Sequence, residues 1–241
     1  MGRKEDVVQK IVDFLIDAQN ENGSWNEIHP YYNEPSSLVT SIVGDTLIEW
    51  TNKYPDERVK ESIDSAKEYV LSCEVYPGFF IKSKFYYQDH LNVDATCADF
   101  LSSYSKNYSD KRTERAAKDA IKHIRDHQFE DGVFPYRVDS EIGDSSMEVP
   151  CIHYQGVTNY YLLKTLKNLE VDDTGWLRKG IEWLSEVQKE NGKFDWSESS
   201  LMFAYRLTGA YAFAYSSYSL DGREKYSKKS QQCLDILNEH I

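Results

Sequence analysis

The sequence predicts an all-α protein, an α/α toroid in which outer and inner helices alternate around an axis. Three observations carry that prediction. One pattern recurs four times along the 241 residues. Polar-faced helices alternate with helices that are apolar nearly all round. Nothing between them reads as a domain linker, so residues 1–241 form one toroid domain.

The pattern is an amphipathic helix, a Gln-like residue, three residues, Gly, one residue, then an aromatic. It reads Phe14-Leu15, Gln19, Gly23 and Trp25 in the first copy, and Tyr69-Val70, Glu74, Gly78 and Phe80 in the second. The third copy has His123-Ile124, Gln128, Gly132 and Phe134, and the fourth Trp183-Leu184, Gln188, Gly192 and Phe194. Each Gly suits a left-handed turn that ends the helix. The aromatic folds back over the helix end, and the Gln-like side chain serves backbone groups left free there. Each copy is a structural clasp between stacked units.

The helices carrying the clasps span roughly 4–20, 57–73, 111–128 and 174–190. Those between them span 36–53, 93–107, 155–168 and 199–217, and a last helix covers about 223–240, making nine. Asp56, Asp110, Thr174 and Ser197 stand at helix starts as caps. Clasp helices carry runs such as Lys111-Arg112-Thr113-Glu114-Arg115, whereas 201–214 is almost wholly apolar, so the first kind lies outside and the second inside. His123 and His127 fall on a polar outer helix and read as solvated. The segments 26–34, 79–91 and 133–153 read as long loops that frame a site.

Composition narrows the function. Lys and Arg number 28 against 40 Asp and Glu, a net charge of −12. That sign argues against nucleic acid and against charge-driven docking on anionic membranes. No apolar run reaches transmembrane length. The first residues lack the apolar region of a signal peptide, and Cys73, Cys97, Cys151 and Cys233 form no CxxC pair, so a cytoplasmic protein with reduced thiols is expected. No P-loop, GxGxxG, GxSxG or DDxxD motif occurs, and no cofactor or metal is expected. The 18 Tyr, 10 Phe and 5 Trp suit either an aromatic-lined pocket or an aromatic core.

The repeats over residues 4–217 resemble the QW repeats of squalene–hopene and oxidosqualene cyclases, and of the wider terpenoid-cyclase and protein-prenyltransferase toroids. Asn92-Val93-Asp94-Ala95-Thr96 is similar to the Asp-x-Asp-Asp-Thr motif of class II terpene cyclases, with Asn92 and Ala95 in place of two of its carboxylates. The resemblance implies an isomerase that protonates an isoprenoid and cyclises it, with Asp94 as the acid. It further implies a polar partner on the next inner helix, near Tyr160, with His153 earlier on that helix. Such an acid must stay neutral in a dry pocket, a pKa shift of about three units or about 4 kcal/mol. The cation needs ring faces, which Phe100, Tyr161, Phe203, Tyr205 and Tyr211 would supply around a small apolar, isoprenoid-like ligand. Arg206 would hold a substrate anion, or pair internally with Asp45 or Asp99.

Other readings stay open. Asp94 also reads as a helix N-cap, and the rings as toroid core. Asp94, Cys97 and His153 offer the oxygen, sulfur and nitrogen donors of a prenyltransferase-like zinc site. Glu34, Asp94, Asp99 and Glu148 are candidates for a carboxylate pair acting on glycans. A toroid that binds an apolar or peptide ligand without catalysis is a further alternative.

Overall fold

The computed structural model describes residues 3–135, 138, 152–172 and 174–191, with residues 228, 229, 231, 232 and 235 beyond them. The expected helices at 199–217 and 223–240 therefore lie wholly or largely outside the described residues.

Seven helices are described. Outer helices are α1 (Arg3–Asp17), α3 (Glu57–Ser72), α5 (Lys111–Asp126) and α7 (Gly175–Val187), and inner ones are α2 (Ser37–Lys53), α4 (Leu91–Tyr108) and α6 (Ile152–Asn168). The α/α alternation follows the prediction, with α4 packed between α2 and α6 and also against α5. Asp56 caps α3 by accepting from Arg58 N, and Asp110 caps α5 by accepting from Arg112 N and Thr113 N. Thr174 precedes α7 without a side-chain capping bond. Asp94 is not an N-cap: α4 starts three residues earlier, after His90.

The chain between helices is more regular than expected. Within 26–34 lies most of an antiparallel hairpin, β1 (Trp25–His29) with β2 (Tyr32–Ser36). A second, irregular one joins β3 (Glu74–Tyr76) to β4 (Phe79–Phe80). At both places the chain turns back on itself in extended backbone directly after a clasp helix.

The clasps explain how one unit grips the next. Gly23, Gly78 and Gly132 have φ of 85°, 88° and 92°, in the region that favours glycine. Each also presses on the following outer helix. A Cβ at Gly23 would lie 2.3 Å from Ser65 O, at Gly78 2.4 Å from Asp119 O, and at Gly132 2.5 Å from the carbonyl carbon of Lys179. Gln19 donates to Gly23 O at 2.8 Å and to Ser62 O at 2.9 Å, and Gln128 donates to Gly132 O at 2.9 Å. Glu74 stands in the Gln place of the second copy and reverses the bond, accepting from Gly78 N at 3.1 Å.

A third link reaches inward. The backbone N–H of each of the three described clasp aromatics donates to a side chain on the next inner helix: Trp25 to Thr40 at 2.9 Å, Phe80 to Asp94 at 2.7 Å, Phe134 to Gln155 at 2.8 Å. Thr40, Asp94 and Gln155 are each the fourth residue of their helix, so they are equivalent across the repeats.

Gly78→Ala combines a left-handed residue with a backbone clash, and is expected to cost at least about 2 kcal/mol. Gly175→Ala, where nothing lies within 4 Å, is expected to be neutral or stabilising by up to about 1 kcal/mol. Urea denaturation of both variants checks the contrast; equal effects would show that the clasp glycine is not under constraint.

Candidate functional site

The helical period turns the two sides of α4 to different surroundings. One side carries Thr96 and Asp99 and faces α2 and α6. The opposite side carries Asp94 and faces the outer ring. Each bears a cluster of polar groups.

The inward cluster lies in a pocket of about 160 Å³ lined by inner helices alone, with Ser41 and Asp45 from α2, Thr96 and Asp99 from α4, and Tyr160, Tyr161 and Lys164 from α6. Asp45, Asp99 and Tyr160 are each the ninth residue of their helix, so the repeat brings them to one level of the axis. The Lys164 ammonium donates to Asp45 Oδ2 at 2.6 Å and lies 2.8 Å from Asp99 Oδ2. It also sits 5.6 Å from the Tyr160 ring centre and 5.9 Å from that of Tyr161.

The charges here are unequal in number: one ammonium serves two carboxyl groups. Burial, and then the negative charge of Asp45, push Asp99 up to about 8 against the pull of Lys164. Burial alone would lower Lys164, but Asp99 and Asp45 outweigh it and hold the ammonium protonated. Near neutral pH Asp99 thus keeps a proton beside the Lys164 ammonium, in a pocket that Asp45 and Glu49 also line. Burial, then Asp99, also raises the Tyr161 hydroxyl.

The outward cluster joins Asp94 to Asp89 in the loop before α4 and to His123 in the last turn of α5. Asp94 is fully buried, its Oδ1 on Phe80 N at 2.7 Å and its Oδ2 3.8 Å from His123 Nε2. Asp89 Oδ2 accepts from Tyr76 at 2.7 Å and lies 3.0 Å from His123 Nε2. Burial and the charge of Asp89 raise Asp94 well above the usual carboxylate range. Burial would raise Asp89 too, but hydrogen bonds from His123 and Tyr76 together outweigh it and hold it low.

The expected site residues divide between these places. Tyr160 and Tyr161 line the axial pocket. Asp94 lies outside it, and its equivalent on α6 is Gln155 rather than Tyr160. Phe100 is fully buried in the core, its ring so close to Gly44 that a Cβ there would come within 2.5 Å. Cys97 is buried, which raises its thiol. Glu34 accepts from Ser83 at 2.6 Å. His153 belongs to the first turn of α6, its side chain being outside the described part. Phe203, Tyr205, Arg206, Tyr211 and Glu148 lie outside the described residues, and the cation that Asp45 and Asp99 share among the described ones is Lys164.

Lys164, Asp89 and His123 are additions to the sequence reading. Lys164 had the same signal as Arg206, a lone cation in an apolar run, Leu162-Leu163-Lys164-Thr165-Leu166. His123 is buried rather than solvated. It follows Ala116 and Ala120 at helical spacing and so falls on the buried stripe of α5. Asp89 lies in a loop, where no periodicity marks burial.

No protein-family model and no curated protein matches the sequence. Solved structures do match by shape. The cellobiose 2-epimerase of Bacillus thermoamylovorans superposes with TM-score 0.72 at 10% identity, covering 92% of this chain and 67% of that one. A glycoside hydrolase of family 105 from C. acetobutylicum gives 0.69 at 15%, covering 93% and 70%. The type II terpene cyclase MstE of Scytonema gives 0.63 at 14%, covering 96% and 63%. The chain thus spans about two thirds of the length of these structures. Likeness at this identity shows the fold, an α/α toroid. No helix among the described residues is long and apolar enough to cross a membrane.

The raised pKa of Asp99 has a consequence for stability. The folded state keeps this proton where the unfolded chain has lost it, so stability falls as pH rises from about 4 to about 8. Asp99→Asn is expected to remove that fall. Thermal melts of both proteins between pH 4 and 9 check it, with curves that converge at the acid end and separate toward pH 8.

Proposed function

We propose that this chain is a carbohydrate-acting toroid enzyme working by acid–base chemistry in the axial pocket. The observation that carries the reading is the pairing of Asp45 and Asp99 in one pocket around Lys164. Two carboxyl groups that share an ammonium are no further apart than the roughly 5–5.5 Å of retaining glycoside hydrolases. Asp99 holds a proton for the departing glycosidic oxygen. Asp45, ion-paired with the Lys164 ammonium at 2.6 Å, attacks the anomeric carbon. Water then enters with Asp99 as base, and the Asp45–sugar bond breaks. The Tyr160 and Tyr161 rings offer apolar surface to a sugar face. The epimerase and glycoside hydrolase among the similar structures support a sugar substrate for this fold.

The test is turnover of a panel of aryl glycosides and oligosaccharides, with anomeric configuration followed by NMR. Asp99→Asn and Asp45→Asn are each expected to lower kcat by about 10²–10⁴-fold. Activity should fall above about pH 8, as Asp99 loses its proton. Unchanged turnover in both variants would refute the assignment.

A second reading is the class II cyclase-like isomerase, with Asp94 as acid, Tyr160 or His153 as its partner and aromatic faces around an isoprenoid. One observation favours it: Asp94 is wholly buried, and burial and the charge of Asp89 raise its carboxyl well above the usual range. The turn of Asp94 toward the outer ring counts against it. This reading expects cyclisation of a polyprenyl substrate that is abolished by Asp94→Asn and retained by Asp99→Asn, read by mass spectrometry of the products.

A further inference from the structure

We infer that Asp89, Asp94 and His123 form a binding site for one divalent transition-metal ion of the zinc class. The site is distinct from the axial pocket and independent of what that pocket does.

Three separate parts of the chain supply the donors: the loop before α4, the first turn of α4, and the last turn of α5. One donor atom from each lies within 4.8 Å of the other two, and all three residues are buried. In a tetrahedral zinc site with bonds of 2.0–2.1 Å, neighbouring donor atoms are about 3.3 Å apart. The distances from His123 Nε2 are 3.0 Å to Asp89 Oδ2 and 3.8 Å to Asp94 Oδ2. They straddle that value, and the third separation, between the two carboxylates, is within 4.8 Å.

The cluster also has acceptors with nothing to accept. Asp94 Oδ2 and Asp89 Oδ1 are buried and have no hydrogen-bond partner. Asp94 Oδ2 is the oxygen turned toward His123, because its other oxygen is committed to Phe80 N. Leaving such oxygens unserved in a dry interior is costly. As ligands, two carboxylates and one imidazole would bring a charge of −2, which one divalent ion cancels. The donor set, one nitrogen and two oxygens, suits zinc or a neighbouring divalent ion better than calcium or magnesium, which take oxygen. Tyr76 donates to the Asp89 carboxylate at 2.7 Å and so orients it, the usual support of a ligating carboxylate. Three protein ligands leave a fourth position for water or for Asp89 Oδ1. Bound there, the ion ties the loop before α4 to both an inner helix, α4, and an outer one, α5. A metal on Asp94 displaces the proton that the cyclase reading needs, so the two exclude each other.

The experiment uses the full chain, stripped with a chelator and dialysed. Zn²⁺ is titrated by calorimetry, and bound metal is counted by mass spectrometry. One equivalent is expected, and Tm should rise by about 5–10 °C at a hundredfold excess over Kd. Co²⁺ in place of Zn²⁺ should give visible d–d bands without the near-ultraviolet charge-transfer bands of a thiolate. Asp89→Asn preserves shape and the Tyr76 bond, and should lose both the bands and the Tm shift. Thiolate bands would move the metal to a cysteine and overturn the assignment. So would an unchanged Tm with no bound zinc, or undiminished binding in Asp89→Asn. If that variant does not fold, the wild-type stoichiometry and cobalt spectrum decide alone.

Discussion

The backbone contact of each clasp glycine with the next outer helix is the constraint on which the architecture depends. Gly23, Gly78 and Gly132 let main chain meet main chain at a distance no side chain permits. Once that contact is made, the Gln or Glu on one side and the aromatic N–H on the other have fixed places to bond. Inner and outer helices are thereby set at a constant offset. The levels of the toroid axis follow from that offset, which is why Asp45, Asp99 and Tyr160 arrive at one pocket.

The same regularity divides α4 between two tasks. Its fourth residue serves a clasp, as Thr40 and Gln155 do in their helices. Its ninth faces the axis, as Asp45 and Tyr160 do. A hydroxyl or an amide at the fourth place completes the bond and adds no charge. A carboxylate completes the bond with one oxygen and retains another. The unusual electrostatics of Asp94 come from this surplus atom meeting Asp89 and His123 in a buried space, not from any departure of the backbone.

Much of the fold is legible in the sequence because its signals are local and repeated. Gly, Gln and an aromatic at fixed spacing mark each helix end, and the contrast between polar-faced and apolar helices separates the two rings. The hairpins are less legible, since Trp25–Ser36 and Glu74–Phe80 are too short to show a period. The candidate site is legible only in part. Asp94, Asp99, Tyr160 and Tyr161 stand out by motif or by placement on inner helices. Which side of α4 a carboxyl faces depends on where the helix starts, and a shift of two residues exchanges the axis for the outer ring. Asp89 and His123 matter because distant segments converge, which no spacing along the chain reveals. Lys164 was open to the argument applied to Arg206, that a lone cation in an apolar helix needs a carboxylate.

The clasps also give the chain a mechanical character. Gly23 rests on α3, Gly78 on α5 and Gly132 on α7, so each link joins one unit only to its successor. Along the clasps load passes in series between nearest neighbours, while at the axis the Lys164–Asp45 pair ties the third unit to the first. Drawn apart from its ends, such a chain loads its clasps one after another and the axial Lys164–Asp45 pair across two of them at once. The inner helices, bonded through Thr40, Asp94 and Gln155, come away with the outer helices that anchor them.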